Sequence, residues 1–236
     1  MIEFLSCVGF AWNEKDKDSF FDAYIRMLEY YEERSSENIT AHGQNYLVLR
    51  ADPLEILFPV NDRGDANADA PELFYKTDRW QPITEVQWCP KQKNNYIQIA
   101  NAFSADGISL NVCVPGAYAD GFDGCQRYEL QVACFAMKCS VCSEEAYLKS
   151  GSSMAPMAFI NTGSLQQDAS CIANGKITDI TVCKNPYSGC EYYHFTARCE
   201  DVVLDILANK NIVSDAPQIG HIITVHGWLT GKFRTQ

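Results

Sequence analysis

Fifteen consecutive residues at the middle of the chain, Tyr128 to Cys142, constrain the fold more than any other stretch. They read Y-E-L-Q-V-A-C-F-A-M-K-C-S-V-C, the longest run with a strand's composition. Val132, Cys134 and Ala136 fall on one side and Ala133, Phe135 and Met137 on the other, so both faces are apolar. That pattern belongs to a strand buried between two layers. A chain that carries it must supply a layer on each side.

Counting Cys125 just upstream, the stretch also holds four of the protein's 11 cysteines. Cys139-Ser140-Val141-Cys142 is a lone C-x-x-C, whereas structural zinc commonly takes two such pairs and a redox pair sits at a helix start. On a regular strand Cys134 and Cys139 point to opposite faces, as do Cys139 and Cys142. The expected reading is therefore core cysteine with no cofactor, and Cys139 and Cys142 are the lesser candidates for a metal. An odd count of cysteines favours free thiols in a reducing compartment. Cys183 and Cys190, flanking a turn, are expected close together and unbridged.

The N-terminal part reads as an α+β domain over residues 1–165. Ile2 to Phe10 is expected as a strand, with a helix opening at Asn13. Phe20, Phe21, Tyr24, Met27, Leu28 and Tyr31 follow the spacing of one apolar helical face, so this helix should cover a sheet. Strands are expected at Tyr46 to Arg50, Leu54 to Val60, Ile83 to Trp88, Tyr96 to Ala100 and Ile108 to Val114, and the polar stretch Asn61 to Pro82 reads as a surface loop. Within it Asp65, Asn67 and Asp69 alternate like calcium ligands, but Ala70 and Lys76 stand where that loop requires glycine and glutamate. Ser150 to Ser170 reads as a connection.

Residues 172–236 read as a small C-terminal β-barrel of OB-like architecture. Gly175 to Lys184 and Glu191 to Cys199 flank the turn Asn185-Pro186-Tyr187-Ser188-Gly189. Tyr193, Phe195 and Ala197 share one face of the second strand, and Tyr192, His194, Thr196 and Arg198 the other. Val202 to Leu207 and Ile219 to Phe233 complete the set, the last broken at Gly227 and Gly231. The combination N-P-Y-S-G, a Tyr-rich strand, P-Q-I-G and W-L-T-G resembles the C-terminal β-module of a group of uncharacterised bacterial cytosolic proteins. In that group an α+β domain precedes the module, and E-L-Q-V-A-C-F-A is similar to the strand ending that domain. The resemblance implies two domains and carries no activity or functional residue.

Function is bounded mainly by exclusion. The formal net charge is −11, all of it in the first 170 residues, because Cys171 to Gln236 holds six basic and six acidic side chains. Such a field repels phosphate polymers and makes nucleic acid an unlikely partner, while a basic protein suits it. No apolar run approaches a membrane span, and the first residues lack a basic leader segment, so a cytoplasmic protein is expected. No phosphate-binding loop, dinucleotide fingerprint, H-E-x-x-H or G-x-S-x-G occurs. The expectation is a non-enzymatic binding or protein-interaction protein. A cysteine-dependent enzyme and single-strand nucleic-acid binding through the barrel are the alternatives, the latter with Tyr187, Tyr192, His194 and Trp228 as a binding surface.

Overall fold

The computed structural model of the protein describes residues 2–10, 25, 29, 37–41, 43–67, 71–89, 98–119, 127–163 and 168–235. In chain order, a 3₁₀ helix (Ile2–Val8) precedes strands β1 (Glu37–Ala41), β2 (Gln44–Ala51), β3 (Leu54–Pro59), β4 (Glu72–Tyr75), β5 (Gln81–Ile83), β6 (Glu85–Trp88), β7 (Gln98–Phe103) and β8 (Ser109–Val114). There follow a short 3₁₀ turn (Gly116–Tyr118), β9 (Tyr128–Cys142), helix α1 (Glu144–Lys149), β10 (Ala158–Asn161), β11 (Ser170–Lys184), β12 (Glu191–Cys199), β13 (Val202–Asn209), a second 3₁₀ turn (Lys210–Ile212) and β14 (Ile222–Thr235).

These strands make two sheets. The smaller is an antiparallel meander in the order β1-β2-β3-β4. The larger runs β10-β11-β12-β13-β9-β14-β8-β7-β6, with β5 added beside β9. Because β11 also pairs with β14, the strands β11, β12, β13, β9 and β14 close on themselves as a barrel, joined in parallel only where β13 meets β9. Closure removes the edges an open sheet would expose. β9 and β14 pair from Tyr128↔Thr235 to Cys142↔Ile222, so this long ribbon is at once barrel wall and the support of the β8-β7-β6 extension.

The central strand has the expected bounds and two buried faces. Leu130, Val132, Cys134 and Ala136 join the core that fills the barrel, and Ala133 and Phe135 join a second core outside it. Its alternation, however, is not regular. The register with β14 slips so that His226 faces Lys138 while Gly227 faces Ala136, which leaves Met137 as an extra residue. That bulge reverses the phase, so Cys139 and Val141 turn back into the barrel core and Cys134 and Cys139 share a face. The expectation that they face apart is corrected on this ground.

The second core corrects the fold class. Among the described residues the molecule is nearly all β, in two sheets, and not an α+β sheet under a covering helix. Ile2 to Phe10 is no strand: as a 3₁₀ helix and its exit it buries Phe4, Leu5, Cys7, Val8 and Phe10 between Leu47, Leu49, Ile56, Phe58 and Leu73 of the meander and Phe135 and Leu207 of the barrel wall. The meander's apolar face is thus covered by a barrel, and each fully buried Phe or Leu there contributes roughly 1.5–3 kcal/mol. The expected helix from Asn13 through Tyr31 lies outside the described residues apart from Ile25 and Glu29, which are helical and exposed.

The OB-like barrel expected within residues 172–236 is likewise corrected, because the ring closes only with β9, which lies upstream of residue 165. Gly227 and Gly231 do not break β14. A side-chain carbon at Gly227 would lie 2.5 Å from the Cys134 sulfur, and one at Gly231 would lie 2.7 Å from the Gln131 carbonyl oxygen. These glycines let strands pass closely. Two strands hide in stretches that read as loops, β4 within Asn61 to Pro82 and β10 within Ser150 to Ser170.

Candidate functional site

Where the barrel's outer wall meets the end of the meander, a cleft of about 600 Å³ opens. Its wall is formed by β11, β12 and β13, whose register aligns Asp179, Thr196 and Asp205 in one row and Thr181 and His194 in the next. These residues point outward because their neighbours Phe195, Leu204 and Ile206 take the barrel interior. The facing side is the turn after β4. The Lys76 amide donates to the Pro53 carbonyl at 2.8 Å, and the Arg79 amide donates to Thr77 Oγ1 at 3.1 Å. That folding directs the Arg79 side chain across the gap.

At the floor lies Asp205, its side chain only 2 % exposed. Arg79 Nη1 donates to both carboxylate oxygens, at 2.8 and 2.9 Å, His194 Nε2 lies 2.8 Å from Oδ1, and Thr196 Oγ1 donates to the same oxygen at 3.3 Å. Burial raises the Asp205 pKa, but the His194 hydrogen bond and the Arg79 guanidinium outweigh it and hold the carboxyl below its ordinary value. An ionised carboxylate only accepts, so Nε2 carries the imidazole proton and Nδ1 is the nitrogen left to a ligand on neutral His194. The Tyr75 ring packs against the imidazole with centroids 5.2 Å apart. Burial raises the Tyr75 hydroxyl pKa, so it stays a donor at neutral pH.

Cys183 also lines the cleft, half-buried. Burial raises its pKa, against hydrogen bonds from Tyr192 and Tyr75 that lower it, so the group is a thiol at neutral pH. The arrangement holds an ordered imidazole, an anchored guanidinium, hydroxyls and a protonated thiol. It is suited to hold a polar molecule in place.

Of the four residues expected as a binding surface, His194 alone reaches this cleft, and Cys183 of the expected thiol pair lines it too. Tyr187 and Tyr192 are buried in the second core, Tyr187 with its ring stacked 6.2 Å from that of Phe10, and the Trp228 ring lies tilted 5.3 Å from that of Phe4. The N-P-Y-S-G turn itself docks on the N-terminal segment, Asn185 Nδ2 donating to the Val8 carbonyl at 2.6 Å and Ser188 Oγ to that of Gly9 at 2.7 Å. Cys139 is buried in the barrel, its pKa pushed up to about 12 by burial, while Cys142 is half-buried on the other face. Among the described residues no group of three His, Cys, Asp or Glu side chains could hold a metal ion. Cys183 lies opposite Tyr192, two positions from Cys190, and both thiols are unbridged.

Motif and spacing do not single out Asp205 and Arg79. A signal for Asp205 exists, since it interrupts the apolar run V-V-L-D-I-L, where a charge is kept only if paired. Arg79 sits in a polar turn and carries no such mark. No family model, curated protein or solved structure matches this chain. The resemblance to the bacterial group rests on its short motifs. No helix among the described residues is long and apolar enough to cross a membrane.

Proposed function

We propose that this protein binds a small polar ligand in the cleft between barrel and meander, and that it does so in the cytoplasm without transforming the ligand. The observation that carries the reading is the buried Asp205 carboxylate, which holds Arg79 and His194 in fixed positions at the floor of an open cavity. A charge is costly to bury and is worth keeping where it pre-organises polar groups for recognition. A reducing compartment suits the free state of the described cysteines. Ligand-observed NMR of the full chain against a panel of small polar metabolites tests the reading. Binding that is lost in Arg79→Gln supports it, and binding indifferent to that change overturns it.

One observation favours a second reading, a hydrolase or transferase using Cys183: the thiol lines the same cleft as the His194–Asp205 pair. The mechanism needs a thiol that ionises easily, and burial works against that here. Binding is the reading the electrostatics support better.

A further inference from the structure

We infer that the ligand of this cleft is an amino-acid-like zwitterion, its carboxylate on Arg79 and its ammonium on the acidic rim; this deepens the binding reading above and rests on it. Arg79 uses a single nitrogen, Nη1, on both oxygens of Asp205. Its Nε and Nη2 make no hydrogen bond among the described residues, and the side chain is 40 % exposed toward the opening. A guanidinium pinned at one nitrogen presents its remaining planar edge as a fork, and a carboxylate fits that fork with two parallel hydrogen bonds. The pinning removes the rotamer entropy a free arginine would lose on binding.

The rim decides the other end of the ligand. Apart from the Arg79–Asp205 pair, the charged groups lining the cleft are Lys76, Asp78 and Asp179, which sum to −1. Neither Asp78 nor Asp179 is ion-paired among the described residues, and both are exposed. A phosphate ester or dicarboxylate would enter a cleft of its own sign in a protein of net charge −11. A zwitterion adds no net charge and satisfies both signs. Distance agrees: Asp179, Thr196 and Asp205 lie in one row over adjacent strands, so Asp179 stands about 10 Å, two strand spacings, from Asp205. The guanidinium occupies part of that span, and a small amino acid fills the rest. Tyr75 and His194 supply flat apolar surface beside it.

Titration calorimetry on the full chain tests this, with α-, β- and γ-amino acids, their N-acetyl derivatives, the corresponding amines lacking the carboxylate, and inorganic phosphate as probes. Saturable binding of an amino acid is expected, weakened at least tenfold by N-acetylation or loss of the carboxylate. Arg79→Lys keeps the charge on Asp205, so the fold survives, but loses the fork and should weaken binding at least tenfold, with Asp179→Asn weakening it several-fold. Equal binding of the N-acetyl derivatives, or of phosphate, through Arg79 would overturn the zwitterion while leaving a ligand cleft. Amino-acid binding unchanged in both variants, or no binding by any of these probes, would also overturn it. In the last case, a neutral polar metabolite lost in Arg79→Gln would show that the cleft reading itself stands, and an empty panel would end both.

Discussion

Cys171 and Cys183 lie on the same strand, β11, at positions of the same parity, yet their surroundings are opposite. Cys171 is sealed in the barrel, 4.0 Å from the Cys134 sulfur, whereas Cys183 opens on the cleft that Tyr75 and His194 also line. A regular strand would put both on one face. The register of β11 with β12 shifts between Ile177 and Asp179, so Ile177 fills the barrel before the shift and Ile180 packs against that core after it. One irregularity thus sends Asp179, Thr181 and Cys183 outward and creates the cleft wall. The bulge at Met137 does the converse in β9, returning Cys139 to the interior. Where a thiol ends up here depends on strand phase, and its access follows: inside, packing seals it from reagents; outside, it neighbours the polar groups of the cleft.

The contrast is tested most severely by adding volume on each side. Gly227→Val would force side-chain carbon to within 2.5 Å of the Cys134 sulfur and 2.7 Å of the Phe135 carbonyl oxygen. A loss of about 3 kcal/mol in urea unfolding is expected, the upper range for overpacking. Thr181→Val on the exposed cleft wall should stay within about 0.5 kcal/mol. Similar losses for both would mean that the barrel interior is not the tightly packed side.

Next in size is the charge pair. Arg79→Gln leaves a buried carboxylate with fewer partners and should cost about 1–3 kcal/mol. Replacing both members, Arg79→Leu with Asp205→Leu, should recover most of that, because a buried pair is seldom worth more than well-packed apolar groups. If the double variant is the less stable of the two, the pair is a structural strut and its role in organising the cleft is secondary.

Much of the barrel side was legible from sequence and little of the cleft was. The composition of Tyr128 to Cys142 marks the true ends of the strand and its two apolar faces, because burial of Val132, Cys134 and Phe135 writes itself into composition. The division of Tyr193, Phe195 and Ala197 from Tyr192, His194 and Thr196 was legible for the same reason. The bulges were not: Met137 and the Ile177/Asp179 shift have no residue signature, and each reverses every assignment downstream of it. Nor could spacing bring Arg79 to Asp205, 126 residues away, since that contact exists only once the meander docks on the barrel.

A smaller effect should appear with acid. The Asp205 carboxyl is held below its ordinary value in the folded protein, so as pH falls the unfolded chain takes up the proton first. The stability contributed by this carboxylate is therefore complete above roughly pH 5 and is lost as pH falls through about 4 and below. In denaturant titrations the gap between the native protein and Asp205→Asn should be constant near neutrality and narrow in that acid range. A gap that widened with acid would mean the carboxyl is not stabilised in its charged form.

The smallest effect is kinetic and bears on the thiols themselves. Under native conditions iodoacetamide should label exposed Cys190 first and half-buried Cys183 more slowly, because burial keeps Cys183 protonated. Cys134, Cys171 and Cys199 should react only after global unfolding, since all three are sealed in the barrel and the raised pKa values of Cys134 and Cys199 add to that protection. Mass spectrometry of peptides over a time course resolves each site. If Cys183 instead outpaces Cys190, its thiolate is being stabilised by something the static cleft does not supply. The cysteine-enzyme reading, with His194 of the same cleft as the base, would then displace simple binding. If the barrel thiols label at the rate of Cys183, the phase reversal along β11 does not separate two environments, and the comparison on which the cleft assignment rests fails with it.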